Sequence, residues 1–271
     1  VHKLRDLGKL KFIVLRDREG QLQITLKKGV TDDALIEAAN SLREEDVISV
    51  EGIVKPTKIA PKGRELVPLR IEVLNKIVQA VPVSVSGNIE SNLDTRLDFR
   101  VLDLRRPEVM AIFKVQSKLI EGFQSYLAGE GFRQIFTPCL MGAASESGAE
   151  VFPVVYFNKS AFLRQDPQLH RQLAVISGMD RIYDLGPSWR AELSHTPRHL
   201  CEHRGCAVEM GFINDEQDVM RVEEALVQSG LRKVKEECKE ELEALGKQVE
   251  VPATPFPELK FPEVYEILAE M

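Results

Sequence analysis

The chain has 271 residues, 44% hydrophobic and 29% charged, the balance of a globular protein with enough apolar mass for two sizeable cores. No run of ~18 apolar residues is present, which excludes a helical membrane span, and the opening Val1-His2-Lys3-Leu4-Arg5-Asp6 is too charged for a secretory leader. Four cysteines fall short of a disulfide framework and place the chain in a reducing compartment, the cytoplasm, while the net charge of −6 is uneven: residues 1–80 carry 15 basic against 12 acidic side chains, so this part is the better partner for a polyanion.

Between Phe12 and Leu26 two strand-like runs flank the polar turn Arg16-Asp17-Arg18-Glu19-Gly20, where glycine supplies a positive φ. Asp32 to Leu42 has a capped start and helical spacing of apolar residues. Val47 to Val54 and Leu69 to Val73 read as further strands. Short strands with one helix among them predict an OB-type β-barrel over residues 1–80. Such barrels take single-stranded nucleic acid on an aromatic side chain in a basic groove. Phe12 is the candidate aromatic, with Arg5, Lys9, Lys11 and Gln23 near it; the plainer reading makes Phe12 a core side chain.

Residues 81–106 carry Pro82, Gly87, Asn88 and the charge-dense Asp94-Thr95-Arg96-Leu97-Asp98-Phe99-Arg100, a composition that predicts a hinge. A second domain is predicted over 107–271. It opens with a helix from Pro107, carrying Val109, Ile112, Phe113, Val115, Leu119, Ile120, Phe123 and Leu127 at helical spacing and ending at Gly129 and Gly131. Phe132 to Thr137 reads as a strand leading into Pro138. Met141 to Glu150 is small and polar, with an isolated Glu146, and reads as a lid or flap. Ala161 to Leu163 is a strand delivering Gln165, Asp166, Gln168 and Arg171 to the start of a helix that continues through Gly178. Asp215 to Leu245 is helical and densely charged, which predicts a solvated surface.

Pro187 to Met210 forms two short apolar segments around a polar loop. Arg190 and Glu192 stand two apart before the loop; on a strand they would share a face. An arginine beside a carboxylate could hold a phosphate and an exocyclic amine together, as a nucleotide requires. A charged surface hairpin is the competing reading. His199, Cys201, His203 and Cys206 form His-x-Cys-x-His-x-x-Cys, but zinc ligands need wider loops between pairs, so no metal site is assigned and zinc is not expected.

Taken together these residues form a specific set. The chain resembles the class II aminoacyl-tRNA synthetases of the aspartate/asparagine/lysine group, and most closely the archaeal and eukaryotic type of aspartyl-tRNA synthetase. The resemblance rests on Arg5-Asp6-Leu7-Gly8, Phe12 with Leu15-Arg16-Asp17-Arg18 and Gln23, Leu93 to Asp98, and Leu102 to Pro107. It continues in Gly131-Phe132 through Pro138, which looks like the first motif and its dimer interface. Gln165-Asp166-Pro167-Gln168-Leu169 resembles the aspartate pocket. Trp189-Arg190-Ala191-Glu192 with Arg198-His199-Leu200 and Glu202 looks like the second motif, the ATP-binding hairpin.

The resemblance implies an α+β multidomain fold: an OB-type barrel followed by part of a class II antiparallel-sheet catalytic domain with helices. It implies an aspartate–tRNA ligase using ATP and Mg²⁺, with L-aspartate and tRNA(Asp) as substrates, and leaves tRNA(Asn) open as a second acceptor. Arg190 and Glu192 would be catalytic and, with Arg198, His199, Leu200, Glu202 and His203, would bind ATP. Glu146, Gln168 and Arg171 would bind the amino acid. Arg5, Phe12, Gln23 and Glu72 would bind the anticodon. A homodimer would form through Gly131 to Pro138 and the preceding helix.

Three departures from the family pattern stand out. The residue at Asp166 is usually serine and that at Arg171 usually lysine. His203 stands where many relatives have an aromatic residue against adenine. The family's third, glycine-rich motif is absent before Met271, so the chain is expected to be part of a longer enzyme and inactive alone. The alternatives are a truncated paralogue that binds tRNA or serves as a scaffold, and an asparagine-specific synthetase of the same group.

Overall fold

The computed structural model describes residues 1–271 except 59, 61, 62, 88, 89, 146–149, 195, 197 and 271. Two compact units emerge, Val1–Met110 and Ala111–Met271.

In the first unit, β1 (Lys3–Asp6), β2 (Leu10–Arg16), β3 (Gln21–Lys27), β4 (Val47–Pro56) and β5 (Arg64–Asn75) form one sheet in the order β1-β2-β3-β5-β4. Only β3 and β5 run parallel. The predicted polar turn closes β2 onto β3: the Asp17 carboxylate accepts from the backbone N–H of Glu19 and Gly20, at 2.8 and 3.1 Å, and Gly20 takes a φ of 143°. Helix α1 (Asp33–Asn40) is capped by Asp32, whose side chain accepts from the Ala34 N–H at 2.8 Å. Alternation along the strands sends Ile13, Ile24, Leu26 and Ile48 inward, where they meet Ala39 and Leu42 of the helix region. Gly52 sits at a bulge where β4 and β5 approach so closely that a Cβ would lie 2.2 Å from the Val67 carbonyl oxygen.

Residues 81–106 contain two short helices, α2 (Leu93–Asp98) and α3 (Arg100–Asp103), with Val83 and Val85 buried. Asp103 is fully buried, and its carboxylate pairs with Arg96 at 2.7 Å, with Arg100, and with Arg106 at 3.6 Å. Arg105 reaches Glu45 at 2.7 Å.

Helix α4 (Pro107–Gly129) starts at the predicted proline, runs from Ala111 onward in the second unit, and there packs against α6 (Glu216–Glu237). The two cross at glycines: a Cβ on Gly122 would lie 2.8 Å from the Gly230 Cα, and one on Gly230 would lie 2.4 Å from the Phe123 ring. Lys118 and Lys233 each bind both Glu121 and Glu237, at 2.7 to 2.8 Å, and so lace the helices together. The prediction of a wholly solvated surface over 215–245 is therefore corrected. Val222, Leu226, Gly230 and Val234 recur every four residues as a buried stripe, and the charges cover the rest of the helix. The helical run also breaks at Cys238 before α7 (Lys239–Ala244); α8 (Phe261–Glu270) follows near the end.

Two small sheets complete this unit: β6 (Arg133–Gln134), β10 (Arg181–Trp189) and β11 (Glu202–Met210) in the order β11-β10-β6, and β7 (Leu140–Met141), β8 (Pro153–Tyr156) and β9 (Lys159–Leu163) in the order β7-β9-β8. The strand predicted over Phe132 to Thr137 shrinks to two paired residues, because the remainder bonds singly, Ile135 N–H to the Tyr183 carbonyl at 2.9 Å. The helix predicted through Gly178 is α5 (Gln168–Ala174) followed by a widened π-helical turn, Val175–Met179, ending where Gly178 adopts a φ of 99°. No described helix is long and apolar enough to cross a membrane.

Candidate functional site

The β10–β11 hairpin organises the second unit. Its register is unbroken from Arg181 opposite Met210 to Trp189 opposite Glu202. Tyr183, Leu185, Cys206, Val208 and Met210 share one face and pack on Leu127, Phe132, Val222 and Leu226. The opposite face carries the buried Ile182 and then Asp184, Gly186 and Ser188 on β10, opposite Glu209, Ala207, Gly205 and His203 on β11. With both outer faces of the strand pair so divided, the second face is the polar one.

That face is built over by the segment after β9. Arg164 is 2% exposed; its Nε donates to the Pro187 carbonyl at 2.5 Å, and its Nη1 to Asp184 at 3.2 Å and to Thr137. The guanidinium fits because position 186 is glycine: a Cβ there would lie 2.3 Å from Nη2. Gln165, also buried, accepts from the Ser145 N–H at 3.1 Å. Asp166 and Arg171 form a two-bond pair, Nη1 to Oδ1 at 2.8 Å and Nη2 to Oδ2 at 3.1 Å, and the Arg171 Nε donates to Glu209 at 3.3 Å. Burial alone would lower the Arg171 pKa, but the two carboxylates outweigh it and hold the guanidinium above its usual value.

The hairpin's open end is exposed. On a strand Arg190 and Glu192 would share a face. The structure corrects that geometry: β10 ends at Trp189, and the Glu192 N–H donates to the Arg190 carbonyl at 2.9 Å in a tight turn. Arg190 is exposed and still tied to the return strand, its N–H donating to the Cys201 carbonyl at 3.0 Å. Glu192 is half-buried. Arg198, His199 and Leu200 lie exposed in the loop, with His199 Nδ1 at 2.6 Å from the Thr196 hydroxyl. His203 falls on the polar face. Glu202 falls on the other, where it faces Arg204 at 3.6 Å, so the two are not brought to one surface. Among the described residues no group of three His, Cys, Asp or Glu side chains is placed to hold a metal.

Of the three predicted amino-acid contacts, Gln168 begins α5 and is exposed, and Arg171 is buried one turn on. Glu146 lies outside the described residues. Of its described neighbours in sequence, the Ser145 N–H donates to the Gln165 side chain at 3.1 Å, and the Glu150 carbonyl accepts from the Ala191 N–H at 3.0 Å. Along β11, Glu209 and His203 are six residues apart, about 20 Å, so Arg171 and the hairpin loop lie toward opposite ends of the polar face.

On the first unit, register puts Arg5 opposite Phe12, Phe12 opposite Thr25, and Gln23 two residues before Thr25. All share the face opposite Ile13 and Ile24, so Phe12 belongs to the outer surface and the core reading is set aside. Glu72 does not join them. It pairs across the ladder with Ser49 and bonds to Arg70 at 3.0 Å, seven residues or about 23 Å along β5 from the Gln23 row. Glu65 takes that place: it faces Gln23 and accepts from the Thr25 hydroxyl at 2.5 Å. Sequence offered no means of choosing between the two, since the β3–β5 register is set by a long-range parallel pairing.

Two units of this kind, an OB-type sheet with a polar outer face and a hairpin-centred α+β unit, together have the architecture of the class II synthetases. Residues 1–74 match the OB-fold nucleic acid binding domain, and residues 92–271 match the tRNA synthetases class II (D, K and N). The chain belongs to that synthetase family. It is 44% identical over 270 residues to the aspartate–tRNA(Asp/Asn) ligase of Methanopyrus kandleri, covering 100% of this chain and 63% of that protein. It is 42% identical over 271 residues to the aspartate–tRNA(Asp) ligase of Thermococcus kodakarensis, covering 100% and 62%. The asparaginyl-tRNA synthetase of Pyrococcus horikoshii complexed with asparaginyl-adenylate superposes with a TM-score of 0.89 at 32% identity, covering 100% and 62%. The chain thus spans a little over 60% of the length of these relatives.

Proposed function

We propose that this chain carries the anticodon-reading unit and the ATP-binding hairpin of an aspartate–tRNA ligase acting in the cytoplasm. The observation that carries the reading is the pairing of an outer OB face bearing Arg5, Phe12 and Gln23 with a hairpin bearing Arg190 and Glu192, in a chain aligned end to end with aspartate–tRNA ligases. The division into 1–80, a connecting 81–106 and 107–271 follows the same reading.

In the first step an oxygen of aspartate's α-carboxylate bonds to the α-phosphorus of ATP, and the bond from phosphorus to the bridging oxygen breaks. Aspartyl-adenylate and pyrophosphate result. The nucleophile is already ionised, so no base is required; the residues orient the reactants and balance charge. Arg190, exposed at the hairpin mouth, would hold the α-phosphate and the attacking carboxylate. Glu192 would accept from the adenine amine, and Arg198, His199 and Leu200 would line the nucleotide from the loop. His203 would offer an imidazole face to the base. Mg²⁺ would arrive on the ATP phosphates, whose charge it balances.

The acyl group would then pass to the terminal ribose of tRNA(Asp), with tRNA(Asn) as a second acceptor in the manner of the Asp/Asn relatives. Bases of the anticodon would stack on Phe12 and bond to Arg5, Gln23 and Glu65. Exposed Phe113, Phe136 and Leu140 along α4 and the residues after it support pairing of two copies through this region.

The test is amino-acid-dependent exchange of pyrophosphate into ATP by the full-length protein. Aspartate should support it and Arg190→Ala should abolish it. Exchange with asparagine or lysine alone would overturn the aspartate assignment.

A further inference from the structure

Arg171 is the buried cation of the proposed amino-acid pocket, and both edges on which its guanidinium receives a carboxylate are already engaged. A guanidinium receives a carboxylate on its end, through Nη1 and Nη2, or on its side, through Nε and one Nη. The end is occupied by both oxygens of Asp166, at 2.8 and 3.1 Å. The side is engaged by Glu209 at 3.3 Å. The Arg171 side chain is 7% exposed and that of Asp166 is 31% exposed, so the pair sits with the arginine inside and the aspartate at the rim.

We propose that Asp166 is a specificity-determining residue that stands where a substrate's side-chain carboxylate would sit, and so weakens the pocket's preference for aspartate over its amide. This rests on the reading that Arg171 lines the amino-acid pocket. One cation faced by two carboxylates leaves the cluster with an excess negative charge before any amino acid enters. An incoming aspartate must displace Asp166 from the fork or accept its repulsion at close range. An incoming asparagine meets neither cost, because its amide is neutral and its nitrogen donates to a carboxylate. Arg164 does not relieve the excess, since it is committed to Asp184, Thr137 and the Pro187 carbonyl. Glu209 keeps Arg171 charged and oriented when Asp166 is removed, so the fork would remain in place for a substrate.

The experiment measures pyrophosphate exchange by the full-length protein with L-aspartate and L-asparagine, for the wild type, Asp166→Ser, Asp166→Asn and Arg171→Ala. In both Asp166 variants the ratio of kcat/KM for aspartate to that for asparagine should rise at least about tenfold, chiefly through a lower KM for aspartate. Calorimetric titration of the two amino acids gives the same ratio independently of turnover. If Arg171→Ala raises the KM for aspartate while both Asp166 variants leave the ratio unchanged or lower it, the inference falls and the pocket reading stands. If Arg171→Ala leaves aspartate use unaltered, or the wild type binds neither amino acid, the pocket reading falls and the inference with it.

Discussion

Arg164 and Asp184 meet at 3.2 Å with side chains only 2% and 5% exposed, joining the segment after β9 to strand β10. Asp184 also accepts from the Thr137 hydroxyl. Removing either partner of a buried pair strands the other, a loss of about 3–5 kcal/mol. Asp184→Ala and Arg164→Ala should therefore each lower the denaturant midpoint sharply. Coupling of the pair should appear in the double variant, whose loss should be smaller than the sum of the two.

The crossing of α4 and α6 depends on two missing side chains. Gly122→Ala and Gly230→Ala each place a Cβ inside contact distance, against backbone in the first case and the Phe123 ring in the second. The helix-propensity gain of roughly 1 kcal/mol is outweighed when overpacking forces the helices apart, at about 1–3 kcal/mol or more. Gly129→Ala, with open space around it, is the matched control and should be neutral or stabilising in thermal melts.

Acid should loosen the same helix pair. Two lysines hold the Glu121 carboxyl at about 2, below its ordinary 4.5. A depressed carboxylate contributes stability that is complete above its unfolded value and fades as pH falls through the folded one. The loss therefore falls between about pH 4.5 and 2. Arg96 likewise holds Asp103 below the usual carboxylate range. Glu121→Gln should flatten the pH dependence of the melting temperature in that window, and added salt should do so in part, since these charges are exposed.

The outer OB face makes a prediction that separates two glutamates. Phe12→Ala should cost a stacked base about 1–3 kcal/mol of affinity for a tRNA anticodon stem-loop. Glu65→Ala, beside Gln23 and Thr25, should weaken the same binding selectively for the cognate anticodon. Glu72→Ala, paired to Arg70 and away from that row, should change it little. Filter binding with cognate and altered stem-loops checks all three.

Local pattern alone determined much of this protein. The Asp17–Gly20 turn, the Asp32 cap, Pro107 at the start of α4 and the order of motifs from Arg5 to Glu202 are set by neighbours within a few residues, which the sequence displays directly. Tertiary structure decided what depends on distant partners. It ended β10 at Trp189, before Arg190 and Glu192 could share a strand face, and turned Glu202 away from His203. It buried one stripe of a helix whose composition is mostly charged, because a few apolar residues at every fourth position suffice to dock it. It set Glu65, and not Glu72, beside Gln23 through the parallel β3–β5 register. And it closed Asp166 onto Arg171: the two residues were visible as departures from a family pattern, but only the folded backbone aligns a carboxylate with a guanidinium fork to make them a pair.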